Sequence, residues 1–200
     1  MKTFDPDIGL EVLLQLQRTF RNHGLEPWLH YGALLGAVRS GDFIPHDKDI
    51  DLGLTSPDPE KWRAAVRDIQ AEGFEIVYWT NRKDLVRFRK MGVLVDVCVF
   101  VRRRGLLRGY LTCSTHVIRY KYLRSMETQD LRGSKFSVPN NAHELLSHIY
   151  GDDWRVPKIG VPGVSRAWFR NTILIRPDWV SKIASRFFDS VYRFVLGHRS

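Results

Sequence analysis

The spacing of apolar positions changes twice in the first quarter of the chain. Between Pro6 and Asn22, Ile8, Val12, Leu13, Leu16 and Phe20 fall on one face at helical spacing. Asp5 ahead of Pro6 supplies an N-cap with proline at the first helical position, and His23-Gly24 supplies a stop. "EPWLHYG" (26–32) reads as a short strand entering a turn, and "ALLGAV" (33–38) as a short helix. In "KDIDLGL" (48–54) the period drops to two, which predicts a strand with its acids on one face and Ile50 on the other. "SPDPEKWRAAVRDIQAEG" returns to helical spacing, capped near Ser56 and stopped at Gly73. "FEIVYWT", "DLVRFRK" and "VLVDVCVFV" then read as three strands separated by turn residues.

This order predicts a mixed α/β or α+β domain built on one central sheet flanked by helices. The stretch 101–124 is partly helical at best. "NNAHELLSHIYG" predicts a short helix with Asn141 as cap and Glu144 as its capping-box partner, and "GDDW" (151–154) a turn after it. In the tail, Val180, Ile183, Phe187, Val191 and Phe194 share one face of an amphipathic helix that also carries Lys182, Arg186 and Arg193. The chain therefore divides into a domain at 1–175 and a C-terminal helix at 176–200. That helix either packs on the sheet or lies in a membrane interface.

Composition narrows the class. Of 200 residues, 44% are hydrophobic and 26% charged, enough for a core without disulfides or structural metal. Cys98 and Cys113 form no CxxC and read as reduced thiols of a cytosolic protein, Cys98 within a strand; a bridge between them stays open. The first residues place acids and glutamines where a secretory segment needs an uninterrupted apolar run. No run of about 18 apolar residues is present to span a bilayer. The formal charge is +9, and residues 101–124 hold seven Arg or Lys and no acid. Such a block is either a solvated basic face or a site for an anionic partner: a nucleotide, a lipid-linked phosphate, a membrane surface or nucleic acid.

Against this basic background, "GDFIPHDKDIDLGL" (41–54) concentrates Asp47, Asp49 and Asp51. On a strand, Asp49 and Asp51 point the same way, and paired carboxylates can bind divalent cations such as Mg²⁺ or Mn²⁺. Asp96 stands alone in a β-branched apolar strand, where an ionised carboxylate is costly unless paired or metal-bound. If the two strands are neighbours, three acids converge in the manner of phosphoryl-transfer sites. A calcium loop does not fit, because its sixth position must be glycine and is Leu52. Upstream, Gly32 permits close backbone approach, and the helix that follows aims N–H groups at an anion. Arg39 would add a charge-assisted phosphate contact. "HELLSH" (143–148) is one residue too long for a zinc-protease motif; its histidines point about 140° apart on a helix.

The combination of Gly-small, helix, D-h-D strand and later h-D-h strand resembles the nucleotidyltransferase superfamily. "WLHYGALLGAVRSGDFIPHDKDIDLGL", "VLVDVCVF" and "FSVPNNAHELLSHIYGDDWRVP" together resemble the LicD family, which includes bacterial phosphocholine transferases and is related to fukutin-type proteins. The resemblance spans about residues 10 to 158. It implies a nucleotidyltransferase-like mixed sheet with C-terminal helices. It implies transfer of a phospho-alcohol, phosphocholine- or alditol-phosphate-like, from a CDP-linked donor to a glycan or lipid-linked glycan hydroxyl. The setting would be lipopolysaccharide or other cell-surface glycan modification at the cytoplasmic face of the membrane, with peripheral membrane association and without nucleic acid.

Carried over by position, Asp49 and Asp51 become metal ligands, with Asp96 as third ligand or as base for the acceptor. Gly32, Ala33 and Arg39 would bind the donor phosphates, and Asp47 would support the site from the strand's entry. Lys48 would point away from the metal and pair with Asp47 or a surface acid. Three positions depart from the family pattern: Ala33 replaces Thr or Ser, His46 replaces Trp, and Lys48 replaces the middle acid of a D-D-D run. They leave the donor open. Two other readings stand beside this one: a nucleotidylyltransferase attaching NMP to a small molecule, and a non-catalytic basic nucleic-acid-binding protein.

Overall fold

The computed structural model describes residues 3–80, 84–102, 109–113 and 116–157. The chain separates into two compact units, Met1–Leu146 and Ser147–Ser200. All the candidate acids belong to the first. The division expected at 175/176 and the tail helix fall outside the described residues.

The elements run α1 (Pro6–Asn22), β1 (Trp28–Leu29), α2 (Tyr31–Ser40), β2 (Ile50–Thr55), α3 (Pro59–Ala71), β3 (Glu75–Trp79), β4 (Leu85–Lys90) and β5 (Val93–Arg102). They continue as β6 (Tyr110–Cys113), β7 (His116–Arg119), a 3₁₀ turn (Tyr120–Leu123), β8 (Met126–Leu131), β9 (Ser134–Pro139) and α4 (Ala142–Tyr150). The sheet order is β3-β4-β5-β2-β1-β9-β8, with β6 added to β5 and β7 to β6. The pairs β2–β5 and β1–β9 are parallel and the remaining described pairs antiparallel. The expected mixed α/β architecture is what the chain adopts.

The amphipathic face of α1 is the one predicted: Val12, Leu13, Leu16 and Phe20 are fully buried. It packs on α3, where Phe20 stacks on Trp62 at 5.9 Å between ring centroids. Asp5 accepts hydrogen bonds from the N–H groups of Asp7 and Ile8, which fixes the start of α1.

Several boundaries differ from expectation. Helix α2 starts at Tyr31 rather than 33, because His30 is extended and its carbonyl already accepts from the Leu34 N–H. The cap of α3 is Asp58, which accepts from Glu60 and Lys61 N–H ahead of Pro59; Ser56 instead donates from Oγ to the Phe100 carbonyl. The capping box of α4 is absent. Glu144 pairs with Lys121 at 3.4 Å, and Asn141 Oδ1 has no hydrogen-bond partner among the described residues. Residues 152–155 form the expected kind of turn.

The described residues of the basic stretch are mainly strand. Leu111, Cys113 and Ile118 alternate into the core of a β6–β7 hairpin, and the helical part is one 3₁₀ turn. Cys98 and Cys113 are buried free thiols. No helix among the described residues is long and apolar enough to cross a membrane.

Candidate active site

Register builds this site. Two-residue turns at Met91-Gly92, both at positive φ, fix the β4–β5 hairpin so that Arg87 lies opposite Asp96. The parallel β2–β5 pair sets Asp96 opposite Asp51. On the far side of β2, the His30 N–H donates to the Asp51 carbonyl at 3.0 Å. Residues paired across strands share a face. Arg87, Asp96 and Asp51 therefore form a row across three strands that His30, just after β1, extends, and the apolar Ile50, Leu52 and Leu54 point to the opposite face.

The floor beside this row is aromatic. Trp28 lies over Gly53, where a Cβ would overlap the indole ring. The buried His30 ring sits edge-on to Trp28 at 4.8 Å and to Phe100 at 5.2 Å. Water has little access to that side.

The carboxylates converge as the sequence anticipated, and a cation that it did not anticipate joins them. Arg87 Nε donates to Asp96 Oδ1 at 2.6 Å and Nη2 to Asp96 Oδ2 at 2.7 Å. The same Nη2 donates to Asp49 Oδ2 at 2.8 Å. Asp49 stands one residue before β2 and Asp47 in the turn ahead of it. Asp47 reaches back over Gly32: a Cβ there would overlap its Oδ2. The Gly32 N–H, expected at a phosphate, lies near enough to the Asp51 carboxylate to lower its pKa.

One guanidinium does not balance these acids. Burial, then the charges of Asp49, Asp96 and Asp47, push the Asp51 carboxyl well above the usual range, against the Gly32 hydrogen bond. Burial and the Asp49 charge raise Asp47 to about 6. Burial and the Asp96 charge raise Asp49, with Arg87 and Lys48 opposing.

The other expected residues are less central. Ala33 is buried in α2. Arg39 sits in the last turn of α2, about 10 Å along the helix from Gly32. It makes no hydrogen bond or ion pair among the described residues and is not brought to the acids. Lys48 is exposed and forms no ion pair among the described residues, so the expected partner of Lys48 is missing; its charge acts on Asp49. Arg87 and His30 were not singled out from sequence. Counting back from Met91-Gly92 as a two-residue turn would have placed Arg87 opposite Asp96.

Comparison with known proteins identifies the family. A sequence model of the LicD/FKTN/FKRP nucleotidyltransferase domain matches residues 24–141, more than half of the chain. The chain belongs to this family. It is 25% identical over 154 residues to the human ribitol-5-phosphate transferase FKTN, covering 74% of this chain and 33% of that protein. A Caenorhabditis elegans protein, T07A5.1, is 25% identical over 159 residues, 72% of this chain and 41% of its own length. Human ribitol 5-phosphate transferase FKRP is 58% identical over 31 residues, 16% of this chain and 6% of that protein. The LicD-family chain thus spans well under half the length of these relatives. In fold it is similar to the antibiotic-resistance factor ANT(2'')-Ia, with a TM-score of 0.52, 14% identity and coverage of 97% and 98% of the two chains. The likeness is one of fold, and the matching family model is that of a nucleotidyltransferase domain.

The donor set of the family site is carboxylate oxygen, which suits Mg²⁺ or Mn²⁺. The repulsion among Asp47, Asp49 and Asp51 is the kind a divalent cation relieves, so the chemistry of these donors, though not their present arrangement, fits such an ion. Among the described residues no group of three or more His, Cys, Asp or Glu is arranged to hold one as it stands. Arg87 stands between Asp49 and Asp96 and neutralises both.

Proposed function

We propose that this LicD-family chain is a transferase that moves a phospho-alcohol group from a CDP-linked donor to a glycan hydroxyl, releasing CMP. The observation that carries the reading is the register that sets Asp51 beside Asp96, with Arg87 bridging Asp96 to Asp49. FKTN and FKRP are ribitol phosphate transferases, which favours an alditol phosphate over phosphocholine as the transferred group.

Asp49 and Asp51 would hold a divalent cation, with Asp96 as third ligand, and the ion would supply neutralisation of the donor pyrophosphate. The chain's own residues do the rest. Gly32 leaves room for Asp47, and its N–H favours the ionised form of Asp51. Arg87 brings positive charge to the rim of the cluster, where negative charge develops on the leaving phosphate. Asp96, held bidentately by Arg87, is fixed as an acceptor; service as a base for the acceptor hydroxyl would require it to give up those bonds. Lipid-linked acceptors and peripheral membrane association are part of the proposal, and the basic surface near β7 suits them.

The test is incubation with CDP-, UDP- and GDP-linked donors, CDP-ribitol first, plus Mg²⁺ or Mn²⁺ and glycan acceptors. Release of CMP with phospho-alcohol on the acceptor is expected. Release of pyrophosphate from a nucleoside triphosphate would show a nucleotidylyltransferase instead. Tight, salt-sensitive binding to RNA or DNA without turnover would show the non-catalytic reading.

A further inference from the structure

Arg87 is committed on one edge and open on the other. Its Nε and Nη2 make all three of its hydrogen bonds, to Asp96 and Asp49. Nη1 makes none among the described residues, and the side chain is 31% exposed. Nη2 is shared between two carboxylates, so its bond to Asp49 is the one that can be surrendered without losing the fork on Asp96. Asp49 is also where a divalent cation would be held. A cation on Asp49 would repel the guanidinium bonded to the same carboxylate, so each weakens the other's hold.

We infer that Arg87 is a positioning residue that stands in for the cation at Asp49 and competes with it, and that once displaced it turns the Nη1–Nη2 edge to a phosphate of the donor. This rests on the functional reading above and deepens it by giving the site a built-in counter-ion. In the metal-free protein the fork keeps repelling carboxylates together. When the ion takes Asp49, the guanidinium remains on Asp96 and presents two nitrogens outward, a geometry suited to two phosphate oxygens.

The test is Mn²⁺ binding to the full chain without substrate, by titration calorimetry, for wild type, Arg87→Met and Arg87→Lys. Circular dichroism melts confirm that each variant is folded; Arg87→Lys keeps a charge and serves if Arg87→Met does not fold. Arg87→Met should bind Mn²⁺ about tenfold more tightly, the size of one charge-assisted hydrogen bond that the ion no longer displaces. Arg87→Lys, unable to fork, should lie between. With Mn²⁺ saturating, CDP should bind both variants about tenfold more weakly than wild type. Equal or weaker Mn²⁺ binding in the folded variants would overturn the inference and leave Arg87 as a support for the acids. If neither wild type nor variants bind Mn²⁺, the functional reading falls with it.

Discussion

Asp51 carries the clearest conflict between folding and chemistry. Its carboxyl is raised by burial and by three neighbouring acids, so the ionised form strains the metal-free protein. Asp51→Asn removes that charge and can still accept the Gly32 N–H. The variant should melt no lower than wild type without metal, and its transfer rate should fall about 10³-fold or more, read as CMP release. Gly32 is the second telling position. In Gly32→Ala the new Cβ meets the Asp47 carboxylate, a side-chain end that can swing away. The expected result is a melting temperature close to wild type with a marked loss of turnover. Normal turnover would mean that the placement of Asp47 is irrelevant.

At the scale of elements, β2 and β5 matter most, because their parallel register decides which acids meet. Gly53 secures β1 on β2 by letting Trp28 lie across the strand. Gly53→Ala should destabilise the fold by about 1–3 kcal/mol in urea titration, the usual cost of overpacking. Helices α1 and α3 and strands β2, β4 and β5 were legible in the sequence, since each carries a clear apolar period. The β8–β9 hairpin was not, because in Met126–Leu131 only Leu131 is buried and no alternation survives. The β6–β7 hairpin hid behind its arginines: a basic run draws attention to charge, although Leu111, Cys113 and Ile118 keep the strand period. The carboxylates were legible because acids are conspicuous in apolar strands. Arg87 looked like an ordinary strand cation until the turn at 91–92 fixed its register, and Arg39 looked close because sequence distance hides the length of α2.

Across the whole chain the net charge is +9, although the acids of the site are gathered locally. An anionic donor is therefore drawn to the protein before it meets the carboxylates. Raising salt from ~0.1 M to ~1 M shortens the screening length from ~10 Å to ~3 Å. The donor KM should rise several-fold across that range while kcat changes less, in steady-state assays of CMP release. The proposed activity is metal-dependent transfer of a phospho-alcohol group by the acids that the β2–β5 register brings near one another. Its most direct measurement is CMP release from CDP-ribitol with a glycan acceptor and Mg²⁺, for wild type beside folded Asp49→Asn and Asp51→Asn. The account predicts release by wild type, its loss on chelation with EDTA, and none above background from either variant. Near-normal release by a folded variant, or release indifferent to EDTA, would contradict it.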